Sequence, residues 1–229
     1  LVQPAIVLFD IDGTLISTGG VARSALVHSF AELMGATDDA LDFSFGGMTD
    51  RAIMRLGLER IGHRADDETM ERLLEHYLDR LERHIGDAPH YTVHAGMRET
   101  LESLTRHTEV AVGLGTGNVE RGARIKLERG DLNRYFAFGG YGCDSEDRAA
   151  LIAAGLARGA ARLGCEVSRC RRVIIGDTPR DVWAAHANDA RCIAVLTGGV
   201  SRAALAESGA DAIFDDMAAP GAWEALWEL

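Results

Sequence analysis

Ile6-Val7-Leu8-Phe9-Asp10-Ile11-Asp12-Gly13-Thr14-Leu15 is the stretch on which the reading of the whole chain turns. Its first four residues are continuously apolar, without the alternation of a half-exposed strand. Residues 5–10 are therefore expected to form a strand buried on both faces of a parallel sheet. The run stops at two carboxylates one residue apart, followed by a Gly-Thr turn. In open α/β sheets, ligands bind outside the carboxyl ends of the strands. Two acids this close repel and resist desolvation, so they call for a cation or a shared proton. The stretch reads as an active-site segment.

Outward from it, the pattern divides. Over residues 17–94 no strand is evident, and segments 21–33, 50–61 and 68–85 carry apolar residues near a 3.6 period. Gly19-Gly20 and Ala95-Gly96 bracket this block with flexible joints. Beyond it, apolar strands (110–114, a short segment near 135–138, 173–175, 192–196 and 212–214) alternate with helical segments. Repeated β-α alternation implies a parallel sheet covered on both faces. The expected fold is α/β: a Rossmann-like doubly wound core from residues 1–16 and 95–229, with an all-α insertion over 17–94.

The chain has 229 residues, 47% of them hydrophobic, which suffices for one good-sized core. No apolar run approaches the length of a membrane span. Net charge is −11, with few aromatics and no basic run, which argues against nucleic acid. The four cysteines (Cys143, Cys165, Cys170, Cys192) lack zinc-site spacing and read as isolated reduced thiols of a cytoplasmic protein. No signal peptide is visible, the first residues leading directly into a strand. Lys126 is the sole lysine.

Three further segments carry chemistry. Gly113-Leu114-Gly115-Thr116-Gly117-Asn118 ends a strand with a hydroxyl and backbone N–H groups just before a helix, a geometry that binds anions. Asp144-Ser145-Glu146-Asp147-Arg148 is a polar loop entering a helix. Val173-Ile174-Ile175-Gly176-Asp177-Thr178-Pro179-Arg180-Asp181 is a second strand ending in an acid, with another acid at the start of the following helix and Pro179 suited to its first turn.

Asp10-Ile11-Asp12-Gly13-Thr14-Leu15 resembles the first motif of the haloacid dehalogenase superfamily, and the segments around Thr116 and Asp177 resemble its second and fourth, in the expected order. The resemblance implies a phosphatase core with a helical cap, Asp10 as nucleophile, and Asp12 as general acid and then base. It also implies Mg²⁺ held by Asp10, Asp177 and the Asp12 backbone carbonyl, with Asp181 close by, and phosphate bound by Thr116, Gly117 and Asn118. The superfamily's phosphate-side cation is usually lysine. Lys126 lies within the helix after Thr116, a turn or more from the strand end, so Arg148 is the preferred candidate, with Lys126 the alternative. An acidic protein acting on phosphate esters needs such local positive charge.

Cap residues choose the leaving group in this superfamily, and Thr49 and Arg51, at a glycine turn opening a helix, are the candidates here; Thr49 or Asp50 serves equally well as a helix N-cap. The dehalogenases do not need a second carboxylate as acid/base, which this chain has in Asp12. Phosphonate hydrolases use a cap lysine, which it lacks. The expected activity is Mg²⁺-dependent hydrolysis of a small phosphorylated metabolite through an aspartyl-phosphate. The alternatives are a phosphomutase or phosphotransferase of the β-phosphoglucomutase type, and a catalytically silent binding protein.

Overall fold

A computed structural model describes residues 3–36 and 38–228. Residues 1, 2 and 229, placed above in the core, lie outside the described residues, as does residue 37 of the insertion. In chain order the strands are β1 (Ala5–Phe9), β2 (Ile16–Ser17), β3 (Thr92–Val93), β4 (Val110–Gly115), β5 (Gly139–Gly140), β6 (Arg171–Gly176), β7 (Arg191–Val195) and β8 (Ala212–Phe214). The α-helices are α1 (Val21–Met34), α2 (Asp50–Arg60), α3 (Asp67–Ile85), α4 (Met97–Leu104), α5 (Glu120–Glu128), α6 (Arg148–Leu163), α7 (Pro179–His186), α8 (Arg202–Glu207) and α9 (Ala222–Glu228).

Six parallel strands form one sheet in the order β5-β4-β1-β6-β7-β8. All five residues of β1 are buried, as its unbroken apolar run requires. Val7 and Phe9 pack with Met97, Leu101 and Leu127 on one face, while Ile6 and Leu8 pack with Leu151, Ile152 and Leu156 on the other. After β1 the chain adds β4 and β5 on one side, then crosses to add β6, β7 and β8 on the other. The order thus reverses around β1, opening a crevice at the carboxyl ends of β1, β4 and β6.

Helices α1, α2 and α3 share a second apolar cluster, built on Phe30, Met54, Leu58, Leu73, Leu78 and Leu81. Val119 and Ile125, flanking and within α5, belong to this cluster, whereas Ala123 and Leu127 belong to the sheet's. α5 is therefore the seam between the two bodies.

Three differences from the sequence reading have simple causes. A two-stranded antiparallel ladder, β2 with β3, closes the entrance and exit of the helical insertion, where no strand was expected. Two-residue strands are too short to show a period. The strand expected near 135–138 is Gly139–Gly140, because residues Asn133–Tyr135 wind into a 3₁₀ turn. The sulfurs of Cys165 and Cys170 lie 2.9 Å apart, so these two free thiols are neighbours rather than isolated. Among the described residues, no helix is long and apolar enough to cross a membrane.

Candidate active site

Asp10 is the first residue beyond β1, and its N–H donates to the Ile175 carbonyl at 2.9 Å, extending the β1–β6 ladder by one bond. Its carboxylate is thereby held at the strand end, only 5% exposed. Beyond it the chain turns sharply: Leu15 and Ile16 both donate to the Ile11 carbonyl. This turn aims the Thr14 hydroxyl at Asp177 Oδ1, at 2.9 Å. Asp177 occupies the corresponding place beyond β6 and is also buried. A Cβ on Gly198 would lie within 1.7 Å of Asp177 Oδ2, so only glycine leaves room for that carboxylate. A Cβ on Gly13, whose φ is +82°, would lie 2.5 Å from the same oxygen.

Arg148 is the first residue of α6, preceded by Asp147, whose side chain caps the helix by accepting from Ala149 N–H at 2.9 Å. A cation at a helix N-terminus opposes the macrodipole. Here two carboxylates offset that: Arg148 Nη2 is 2.9 Å from Asp10 Oδ2, and Nε donates to Asp181 Oδ1 at 2.9 Å. Burial favours the neutral guanidine, but Asp10 and Asp181 outweigh it and hold Arg148 firmly charged. The other oxygen of Asp181 accepts from Asp177 N–H, Thr178 N–H and the Thr178 hydroxyl at 3.2, 2.9 and 2.8 Å, closing a capping box on α7.

Carboxylate oxygens of Asp10, Asp177 and Asp181 lie within 4.8 Å of one another. Burial pushes Asp10 up to about 6, against the pull of Arg148 and with the repulsion of Asp181 and Asp12. Asp177 is raised well above the usual carboxylate range by burial, then by Asp181 and Asp10. Such a cluster fits a hard divalent cation, which would stabilise the ionised acids. Since both oxygens of Asp181 are already engaged, Asp10 and Asp177 are the carboxylates fitted to ligate it.

On the β4 side, Thr116 is fully buried and Asn118 nearly so. The Asn118 side-chain amide donates to Thr116 Oγ1 and to Asp12 Oδ2, both at 2.8 Å. Gly117 offers its carbonyl to Asp50 N–H at 2.9 Å. Lys126, expected a turn or more from the strand end, reaches back along α5: its Nζ donates to Asp12 Oδ2 at 2.7 Å and to Asn118 Oδ1 at 2.6 Å. Asp10, Asp12, Thr116, Lys126, Arg148 and Asp177 line one cavity of about 290 Å³. The structure thus brings both candidate cations to one cavity, Arg148 on Asp10 and Lys126 on Asp12.

The insertion supplies the cavity's other wall, but not through the residues singled out from sequence. Thr49 is the N-cap of α2, accepting from Ala52 N–H at 3.2 Å. Arg51 pairs with Glu71 at 2.7 Å. Instead Arg23, Phe45, Asp50 and Tyr77 line the cavity. The Arg23 guanidinium lies 4.1 Å over the Phe45 ring and donates to the Phe43 carbonyl at 3.2 Å. Asp50 Oδ2 accepts from Val119 N–H at 2.9 Å, capping α5 from across the seam. Asp50 stood out in the sequence only as a possible helix N-cap, and nothing in the linear pattern marks Arg23, Phe45 or Tyr77.

The chain matches the model of the haloacid dehalogenase-like hydrolases over residues 7–195. It is 28% identical over 221 residues to a phosphoglycolate phosphatase of Pseudomonas syringae pv. tomato, covering 93% of this chain and 77% of that one. It is 29% identical over 230 residues to the phosphoglycolate phosphatase of Rhodospirillum rubrum, covering 96% and 91%. In structure it resembles a crystal structure described as a predicted phosphatase from Clostridium acetobutylicum, with a TM-score of 0.74, 21% identity and full coverage of both chains. That likeness extends the shared fold over the helical insertion as well as the sheet. With strand-end acids in the family's order and a family match spanning most of its length, the chain belongs to the haloacid dehalogenase-like hydrolases.

Proposed function

We propose that this hydrolase is a Mg²⁺-dependent phosphomonoesterase acting on a small phosphorylated metabolite through an aspartyl-phosphate on Asp10. The observation that carries this reading is the convergence, at the switch point of the sheet, of Asp10, Asp177 and Arg148, with Asp12 two residues from Asp10. An Asp10 oxygen attacks phosphorus as the ester P–O bond breaks, and Asp12 gives its proton to the leaving oxygen. Water then attacks the aspartyl-phosphate, Asp12 takes the water's proton, and the P–O bond to Asp10 breaks, restoring both acids. Arg148, the Thr116 hydroxyl and the backbone N–H groups of Gly117 and Asn118 are assigned to the phosphoryl oxygens. A Mg²⁺ held by Asp10, Asp177 and the Asp12 carbonyl supplies further positive charge to those oxygens. Helices α1–α3 act as a cap over the core of residues 1–16 and 95–229, and the cavity of about 290 Å³ suits a small substrate.

The test is phosphate release from a panel of small phosphomonoesters, headed by 2-phosphoglycolate because relatives are phosphoglycolate phosphatases. Turnover is expected with Mg²⁺, none with chelator, and none for Asp10→Asn, which also fails to form a phosphoenzyme. Turnover unaffected by Asp10→Asn would overturn the nucleophile assignment. Interconversion of phosphate isomers without phosphate release would make the protein a mutase.

A further inference from the structure

Lys126 has no part in the reaction just assigned, yet its environment is unusual. It is the only lysine in the chain and is only 4% exposed. Its ammonium lies at the seam of the two bodies, facing Asp12 and Asn118 from the core and Tyr77 and Asp50 from the insertion. Burying an ammonium carries a desolvation penalty, and replacing a whole buried ion pair by well-packed apolar residues is often neutral or stabilising. The charge therefore answers to something other than packing.

Its contacts show what. Lys126 Nζ and Asn118 Nδ2 both donate to one oxygen, Asp12 Oδ2, at 2.7 and 2.8 Å. Lys126 also accepts no freedom of its own, since Asn118 Oδ1 takes a second bond at 2.6 Å, and Asn118 is braced in turn by Thr116 Oγ1 at 2.8 Å. Without these donors the Asp12 side chain, 44% exposed on a turn, would be free to sample several rotamers. Anchoring Oδ2 fixes the carboxylate plane and leaves Oδ1 as the oxygen for proton transfer.

We propose that Lys126 is a positioning residue that, with Asn118, holds Asp12 in the orientation needed to protonate the leaving group. This rests on the phosphatase reading above. Lys126 itself neither gains nor loses a proton: the proton passes from Asp12 Oδ1 to the leaving oxygen as the ester bond breaks.

The test compares Lys126→Met, Lys126→Arg and Asp12→Asn on an alkyl ester, 2-phosphoglycolate, and an aryl ester, p-nitrophenyl phosphate, whose leaving group departs without a proton. For Lys126→Met, kcat/KM on the alkyl ester is expected to fall about 100-fold while that on the aryl ester changes by about threefold or less. Lys126→Arg is expected to recover part of the alkyl activity. Equal losses on both esters would overturn the inference, as would a loss confined to a raised KM for the carboxylate-bearing substrate, which would mark direct substrate contact. Should Lys126→Met fail to fold, Lys126→Gln, which keeps a polar side chain of similar length without the ammonium charge, must show the same selectivity. If Asp12→Asn itself lacks that selectivity, the fault lies with the general-acid assignment. If Asp12→Asn shows it and Lys126→Met does not, the fault lies with Lys126 alone.

Discussion

Asp50 shows how one side chain joins the two bodies. As the first residue of α2 it is suited to its own helix's positive end, yet its carboxylate accepts the Val119 N–H at the start of α5. Burial pushes it up to about 6, against the opposing pull of Lys126 and the Val119 N–H. In the unfolded chain it titrates near its ordinary 3.8. Between those values the folded protein holds a proton that the unfolded chain has released. Its contribution is complete below about pH 4 and is lost as pH rises through about 6. Asp50→Asn is expected to lack this slope, so its urea midpoint should gain on the wild type between pH 4 and 7. Parallel curves would show that Asp50 does not carry the titration.

At the scale of elements, the joint between α3 and α5 contrasts two kinds of contact. Arg121 on α5 reaches Glu75, Asp79 and Glu82 on α3 at 2.7, 2.7 and 3.0 Å. All four side chains are well exposed, and such ion pairs contribute little in water. Leu78, by contrast, is 2% exposed within the cluster that Val119 and Ile125 complete. Arg121→Ala is expected to cost less than about 1 kcal/mol in denaturant unfolding, with a sharper effect at low salt. Leu78→Ala is expected to cost about 2–5 kcal/mol. If Arg121→Ala proved the costlier change, the seam would be held by charge rather than by packing. Helix α6 illustrates the same economy of placement, since its small residues pack on β4 and β5 while its first residue delivers Arg148 to Asp10.

Taken whole, the molecule gathers acids on an already acidic chain of net charge −11. Burial, reinforced by neighbouring carboxylates, raises Asp10 and Asp177 above the usual carboxylate range, and a divalent cation would favour their ionised forms. Mg²⁺ is therefore expected to raise the thermal midpoint, by an amount equivalent to about 2.7 kcal/mol at a hundredfold excess over Kd. Protons compete with the metal for Asp10, so the stabilisation should weaken as pH falls through about 6. Asp177→Asn should abolish it. A midpoint indifferent to Mg²⁺ in the wild type would argue against a metal site at this crevice. Its location follows from topology, because the strand order reverses around β1, and such a switch point opens a crevice at the carboxyl ends of the strands.

The α/β sheet and the acids at its strand ends were legible in the linear chain because their causes are local. An unbroken apolar run makes β1 a central strand, and a carboxylate directly after such a run can only lie at its carboxyl end. The same reasoning found Asp177, whereas Arg148 was preferred over Lys126 because the family resemblance calls for a cation and Arg148 opens a helix. Lys126 defied it, since a residue inside a helix shows its face only once the partners on both sides are known. Its burial between two clusters, and its aim at Asp12, arise from the packing of α5 between sheet and insertion. The wall formed by Arg23, Phe45, Asp50 and Tyr77 is likewise a product of docking. Strand-end chemistry is written in neighbouring residues, whereas a cavity wall is assembled from segments far apart in the chain, and only the tertiary structure decides which of them meet.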